Sequence, residues 1–139
     1  MTNARLFDLI QDQLKQFPQE KAFGCKVNGQ WQYHSTRQII EQADQLSCGL
    51  LKLGIQPGDK IAIAVYQNRP EWVVVDLGIQ QIGAISVPVY PTISAREYEY
   101  IFNEAEVKLA FVGKGDLFDK VTQAQTNVPS LQTVYTFDQ

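Results

Sequence analysis

Histidine is almost missing from this chain: His34 is the only one. A cluster of imidazoles able to grip zinc cannot be assembled within it, and a Ser/His/Asp or Cys/His relay would have to use that same His34. No G-x-S-x-G turn accompanies it, so nucleophilic catalysis has no support. His34 reads as a structural or solvent-facing residue at the end of a hairpin, next to a helix cap. Cysteine is nearly as scarce. Cys25 and Cys48 lack C-x-x-C spacing, and the expectation is two buried free thiols rather than a bridge formed in a reducing compartment.

Phosphate-cradling glycine patterns are absent too. Such loops need several glycines, or Gly with Ser/Thr and Lys, so that backbone N–H groups approach the anion. Gly113-Lys114-Gly115 carries the rest of neither the Walker nor the Rossmann pattern and reads as a strand-to-helix turn with a solvated Lys114. Blocks of positive charge are missing: the net charge is −3 with Lys and Arg scattered, which disfavours nucleic acid and leaves no electrostatic footprint for an anionic membrane. No apolar run approaches the roughly 20 residues that span a bilayer, and Met1 to Asp12 lacks the basic flank and apolar stretch of a signal peptide. A cytoplasmic location is expected. Paired carboxylates for acid/base work are likewise wanting, since Glu97, Glu99, Glu104 and Glu106 line one helix as a solvated face.

What is there is an ordinary globular composition, 45% hydrophobic and 19% charged over 139 residues. That is one domain's worth, enough to bury roughly two thirds of the surface an unfolded chain exposes. Leu6, Ile10, Leu14 and Phe17 recur at helical spacing from residue 4 to 17, with Asn3 as a cap. Asn28-Gly29 between residues 22–27 and 30–33 marks a type I′ hairpin. Ser35 and Gln38 form a capping box ahead of a helix striped by Ile39, Ala43, Leu46, Leu50 and Leu53, with Gly54 as its stop.

From Lys60 the pattern changes. Residues 60–66, 84–89, 107–112 and 131–137 are short apolar strands, and helices lie between them. Trp72 to Val75 is β-branched enough to be strand, but Val75, Ile79 and Ile82 keep helical spacing, and helix is the reading adopted, with Asn68 as cap and Glu71 at the capping-box position. Ser94 and Glu97 box the next helix, whose inward side is Tyr98, Ile101 and Phe102. The order is β-α-β-α-β-α-β. It predicts an α/β fold with a parallel sheet of about four strands and flanking helices, preceded by a helix, a hairpin and a second helix, so that 1–59 and 60–139 form successive parts. In such sheets ligands sit beyond the carboxyl ends of the strands, which points to the loops 67–69, 90–94 and 113–116.

Three motifs stand in that frame. They are Gly54-Ile55-Gln56-Pro57-Gly58-Asp59-Lys60-Ile61-Ala62-Ile63, then Asn68-Arg69-Pro70-Glu71-Trp72, then Gly83-Ala84-Ile85-Ser86-Val87-Pro88-Val89-Tyr90-Pro91-Thr92. Together they resemble the N-terminal part of the AMP-binding large domain of adenylate-forming ligases. The Pro-Glu-Trp and Tyr-Pro-Thr forms resemble the long-chain fatty acid CoA ligase branch.

The resemblance implies a two-step reaction in the parent enzyme: a fatty acid carboxylate attacks the α-phosphate of ATP, with Mg2+ neutralising the phosphates, and the thiol of coenzyme A then displaces AMP. The family's phosphate loop, magnesium-binding Glu, ribose-binding Asp and catalytic Lys match no residue here, which implies an excised segment inactive alone. By the same resemblance the loop Tyr90-Pro91-Thr92 lies near the channel for the pantetheine arm of coenzyme A, with Tyr90 as wall and Thr92 as hydrogen-bonding group; Lys114, at another strand end, is a candidate partner for a coenzyme A phosphate. The residues themselves equally admit a strand exit shaped by Pro88 and Pro91, with Tyr90 packed on a helix. Two other functions remain open: a non-catalytic α/β binding module, and an adenylation domain feeding a carrier-protein thiol. Apolar surface left for the rest of a larger protein would promote self-association.

Overall fold

A computed structural model describes residues 5–138. The element order is α1 (Leu6–Gln16), β1 (Phe23–Val27), β2 (Gln30–His34), α2 (Thr36–Lys52), β3 (Lys60–Ala64), α3 (Pro70–Gln81), β4 (Ile85–Pro88), α4 (Ala95–Ala105), β5 (Val107–Val112), α5 (Asp116–Gln125) and β6 (Thr133–Thr136). The fold is α/β, with a four-stranded parallel sheet in the order β4-β3-β5-β6 and a separate antiparallel hairpin β1-β2. The chain forms two compact units. One takes the chain up to Gly54 together with Asn68–Ile82, and the other takes Ile55–Gln67 together with the chain from Gly83.

In the first unit α3, drawn from inside the βα region, packs on α2. Ile39 and Ala43 meet Val74 and Leu77, with Phe7, Ile10 and Phe23 against them. The helices approach closely because Gly78 has no side chain: a Cβ there would stand 3.1 Å from the Ala43 carbonyl oxygen and 3.0 Å from Leu46 Cδ2. Ser47 Oγ faces the Gly78 carbonyl at 3.0 Å and also meets the Gln81 side-chain oxygen. The Gln81 amide nitrogen donates to Asp44 at 2.8 Å, which fixes the orientation of that amide.

Several local expectations hold for their stated reasons. Asn28 and Gly29 take φ of 51° and 78°, the pair a type I′ turn requires. Ser35 Oγ accepts from the Gln38 N–H while the Gln38 side chain accepts from the Ser35 N–H. Gly54, at φ 82°, ends the helix turn as expected.

Others are corrected. The α1 stripe is Phe7, Ile10 and Leu14, all half-buried, whereas Leu6 is 64% exposed and Phe17 is also exposed. The helix begins at Leu6 with Arg5 as its N-cap, and Phe17 leaves the helix at φ −154°; Asn3 lies outside the described residues. Asn68 does not cap α3. Proline disfavours helical backbone in the residue before it, so Arg69 is held extended at φ −147° as the N-cap and Pro70 starts the helix. Glu71 pairs with the Arg69 guanidinium at 3.0 Å instead of closing a capping box. Leu53 is exposed, and Cys48 lies on the solvent side of α2 while Cys25 is half-buried; both thiols are free.

The second unit is built on the sheet. Small side chains, Ala62, Ala64 and Ala110, leave room on one face for Tyr98 and Phe102 of α4 and for Leu117 and Val121 of α5. The Tyr98 and Phe102 rings meet edge-on at 5.5 Å, a favoured aromatic geometry. Alternate residues Ile61, Ile63 and Leu109 are buried as well, so the inner strands are covered on both faces and read as continuous apolar runs. Pro88 is accommodated because β4 is an outer strand, and the next residue, Val89, donates its N–H to Ile63 at 3.0 Å. Glu97 and Ser94 close the capping box of α4.

Candidate functional site

All four strands of the sheet are parallel, so their carboxyl ends lie along one edge, and the loops after β4 and β5 emerge there about 10 Å apart, two strand spacings with β3 between. That edge carries the residues expected to bind. Tyr90 leaves β4 with its side chain 80% exposed. It does not pack against a helix through its ring. Its backbone carbonyl accepts a 2.9 Å hydrogen bond from the Tyr98 hydroxyl, which pins the loop to α4. Burial, with the nearby Tyr66 and Asp116, pushes the Tyr98 phenol pKa well up, so this donor keeps its proton. Pro91 is half-buried and Thr92 exposed.

Lys114 sits in the turn after β5 with its side chain exposed. Its backbone N–H donates to Asp138 at 3.2 Å. Gly115, at φ 75°, serves as the N-cap of α5 without a side-chain cap bond. The turn is held by glycine geometry, by the Asp138 carboxylate and by the Gly113 N–H, which donates to the Ala64 carbonyl at 3.0 Å.

Between these loops lies a cluster that the sequence does not announce. The Tyr66 hydroxyl donates to Asp116 at 2.7 Å, and the Lys120 ammonium lies 3.2 Å from both the Tyr66 oxygen and Asp116. The hydrogen bond from Tyr66, then that from Lys120, hold the Asp116 carboxyl below its usual range; the hydrogen bond to Tyr66, then that to Asp116, raise Lys120. Asp116 and Lys120 form an i,i+4 pair legible on the helix. Tyr66, some fifty residues away, had no local signal.

The opposite edge holds the glycine-aspartate motif. Asp59 accepts from the Gln56 N–H at 2.8 Å and pairs with Lys108 at 2.8 Å. Desolvation pushes its carboxyl up, but the bonds from Lys108 and Gln56 prevail and leave it below the ordinary value. Gly58, at φ 86°, donates to the Gly83 carbonyl at 2.8 Å. The motif thus closes a turn onto the start of the sheet. A shallow groove of about 290 Å³ there is lined by Asp59, Lys60, Glu106 and Lys108 with Pro129, Ser130 and Gln132, of mixed charge and away from the loop edge.

Among the described residues no three His, Cys, Asp or Glu side chains stand close enough to hold a metal ion, and no helix is long and apolar enough to cross a membrane.

The AMP-binding enzyme family matches residues 10–139. The chain belongs to that family. It is 31% identical to long-chain-fatty-acid–CoA ligase 5 of Rattus norvegicus over 119 residues, which is 81% of this chain and 17% of that protein. It is 29% identical to long-chain-fatty-acid–CoA ligase FadD15 of Mycobacterium bovis over 108 residues, 78% of this chain and 18% of the relative. A solved structure of a putative long-chain-fatty-acid CoA ligase from Rhodopseudomonas palustris superposes with a TM-score of 0.83 at 26% identity, covering 99% of this chain and 33% of that one. The chain therefore spans less than a fifth of the length of these two curated relatives.

Along this sheet the motif residues divide by edge. Gly58, Asp59 and Gly83 build the turn at the amino ends of the strands, and Tyr90, Pro91 and Thr92 stand at the carboxyl ends.

Proposed function

We propose that this chain is the N-terminal part of a long-chain fatty acid CoA ligase. The single observation that carries this is the run of linked motifs from Gly54 to Thr92 on a fold shared with such a ligase. In the intact enzyme a fatty acid carboxylate oxygen attacks the α-phosphorus of ATP, forming the acyl-phosphate bond and expelling pyrophosphate. The thiol of coenzyme A then attacks the acyl carbon and expels AMP. Magnesium would neutralise the phosphates in the whole enzyme.

The part played by this chain is scaffolding and one wall of the coenzyme A path. The exposed Tyr90 ring, on a loop anchored through Tyr98, and the exposed Lys114 side chain support that assignment: the ring offers a stiff apolar surface beside a pantetheine arm, and the ammonium a partner for a phosphate. Transfer by adenylation depends on positioning and on charge stabilisation, so the chain alone, without the phosphate loop and catalytic lysine, is inactive.

Fatty-acid-dependent exchange of labelled pyrophosphate into ATP tests the reading on the full-length protein. Exchange with long-chain fatty acids and none with the 139-residue chain is the expected result; no exchange with any carboxylic acid leaves the non-catalytic binding module as the answer. Thioester formation on a carrier protein but not on coenzyme A would change the acceptor and keep the adenylation.

A further inference from the structure

The hairpin of the first unit carries an exposed aromatic face. Trp31 and Tyr33 alternate onto the same side of β2 and stack with ring centroids 6.1 Å apart and planes 14° from parallel. Both are exposed, Trp31 by 58%. Gly24, paired with Tyr33 across the hairpin, makes room for that ring, since a Cβ there would stand 3.0 Å from it. The ammonium of Lys26 lies 5.6 Å from the Trp31 ring centre and that of Lys21 lies 5.0 Å from the Tyr33 ring centre. Residues 21–34 contain these two lysines and no Asp or Glu, in a chain whose net charge is −3.

We infer that this face of the hairpin is a contact for a bilayer surface containing anionic phospholipid. Trp and Tyr favour the boundary between headgroups and acyl chains, because an apolar ring with one polar atom is satisfied on both sides there. Lysines beside them meet lipid phosphates while their stems lie along the rings. Each lysine ammonium lies over one ring, so positive charge and exposed aromatic surface sit side by side on this face. Scattered in sequence, these charges give no footprint; the register that sets Lys26 opposite Trp31 gathers them. The inference does not depend on the acyl-CoA reaction, although a ligase drawing long acyl chains from a membrane would gain from it.

Flotation of the full-length protein with phosphatidylcholine vesicles, with and without phosphatidylglycerol, tests it. Binding should require phosphatidylglycerol and weaken with salt. Each Lys→Gln change at positions 21 and 26 should lower the partition coefficient about fivefold, and the double change Trp31→Ser with Tyr33→Ser about tenfold or more. Circular dichroism and pyrophosphate exchange should be unaltered, which separates lost binding from lost folding. Hydrogen exchange in residues 23–34 should slow on adding the vesicles. Vesicle binding indifferent to both sets of variants, hairpin amides unchanged by vesicles, or preferential binding of a single-stranded oligonucleotide would each overturn the proposal.

Discussion

The hydroxyl of Tyr66 donates to the carboxylate of Asp116 at 2.7 Å, joining the exit of β3 to the first turn of α5. The contact fastens two neighbouring loops at the edge of the sheet where ligands of parallel α/β folds bind. Lys120 closes the cluster from the next turn of the helix.

Its pH signature follows from the directions of the shifts. A depressed Asp116 contributes stability that is present above the unfolded carboxylate value, about 4, and lost as pH falls through the lower folded value. A raised Lys120 contributes stability present below its unfolded value, about 10.4, and lost as pH rises through the folded one. Tyr66→Phe should therefore lower the urea midpoint across the neutral range and flatten its dependence on pH at both ends, below about 4 and above about 10. An unaltered acid limb would remove the cluster from the account.

Ser47 and Gly78 set the contact of α2 with α3. Replacing Gly78 by Val forces side-chain atoms against the Ala43 carbonyl, and overpacking of this kind costs about 1–3 kcal/mol. Ser47→Ala leaves the Gly78 carbonyl without that hydroxyl and should cost about 1 kcal/mol. Because the two residues share one contact, the double variant should fall short of the sum. Chemical denaturation of the four proteins measures this.

Glu106 ends α4 in the left-handed region at φ 52°, a place usually held by Gly or Asn. An L side chain there is strained by roughly 1 kcal/mol. Glu106→Gly should raise stability by up to about that amount, and Glu106→Val should lower it, as read from thermal unfolding.

Tyr90→Ala and Lys114→Ala bear on the proposed coenzyme A path. In the full-length enzyme each should raise the KM for coenzyme A, by about 1 kcal/mol or fivefold for the exposed charge, while pyrophosphate exchange in the first half-reaction stays as it was. A loss confined to that first half-reaction would place both residues elsewhere in the mechanism.

Much of the local architecture is legible in the sequence. Asn28-Gly29 demands two positive φ values, Ser35 with Gln38 and Ser94 with Glu97 close their own capping boxes, and the runs 60–66 and 107–112 are too short and too apolar to be surface helix. These are interactions among residues a few positions apart, so the chain order itself states them. The motifs from Gly54 to Thr92 belong with them, and they carried the family.

What sequence alone determined, then, is the order of elements, the parallel sheet and the AMP-binding family. Tertiary structure decided the rest. It chose which residues of α1 face the core, turned Leu53 and Cys48 outward, and joined α3 to α2 through Gly78. It also brought Tyr66 to Asp116, and set Lys108 against Asp59. Each of these pairs residues far apart in the chain, and helical or strand periodicity tells which residues share a face but not which partner covers it.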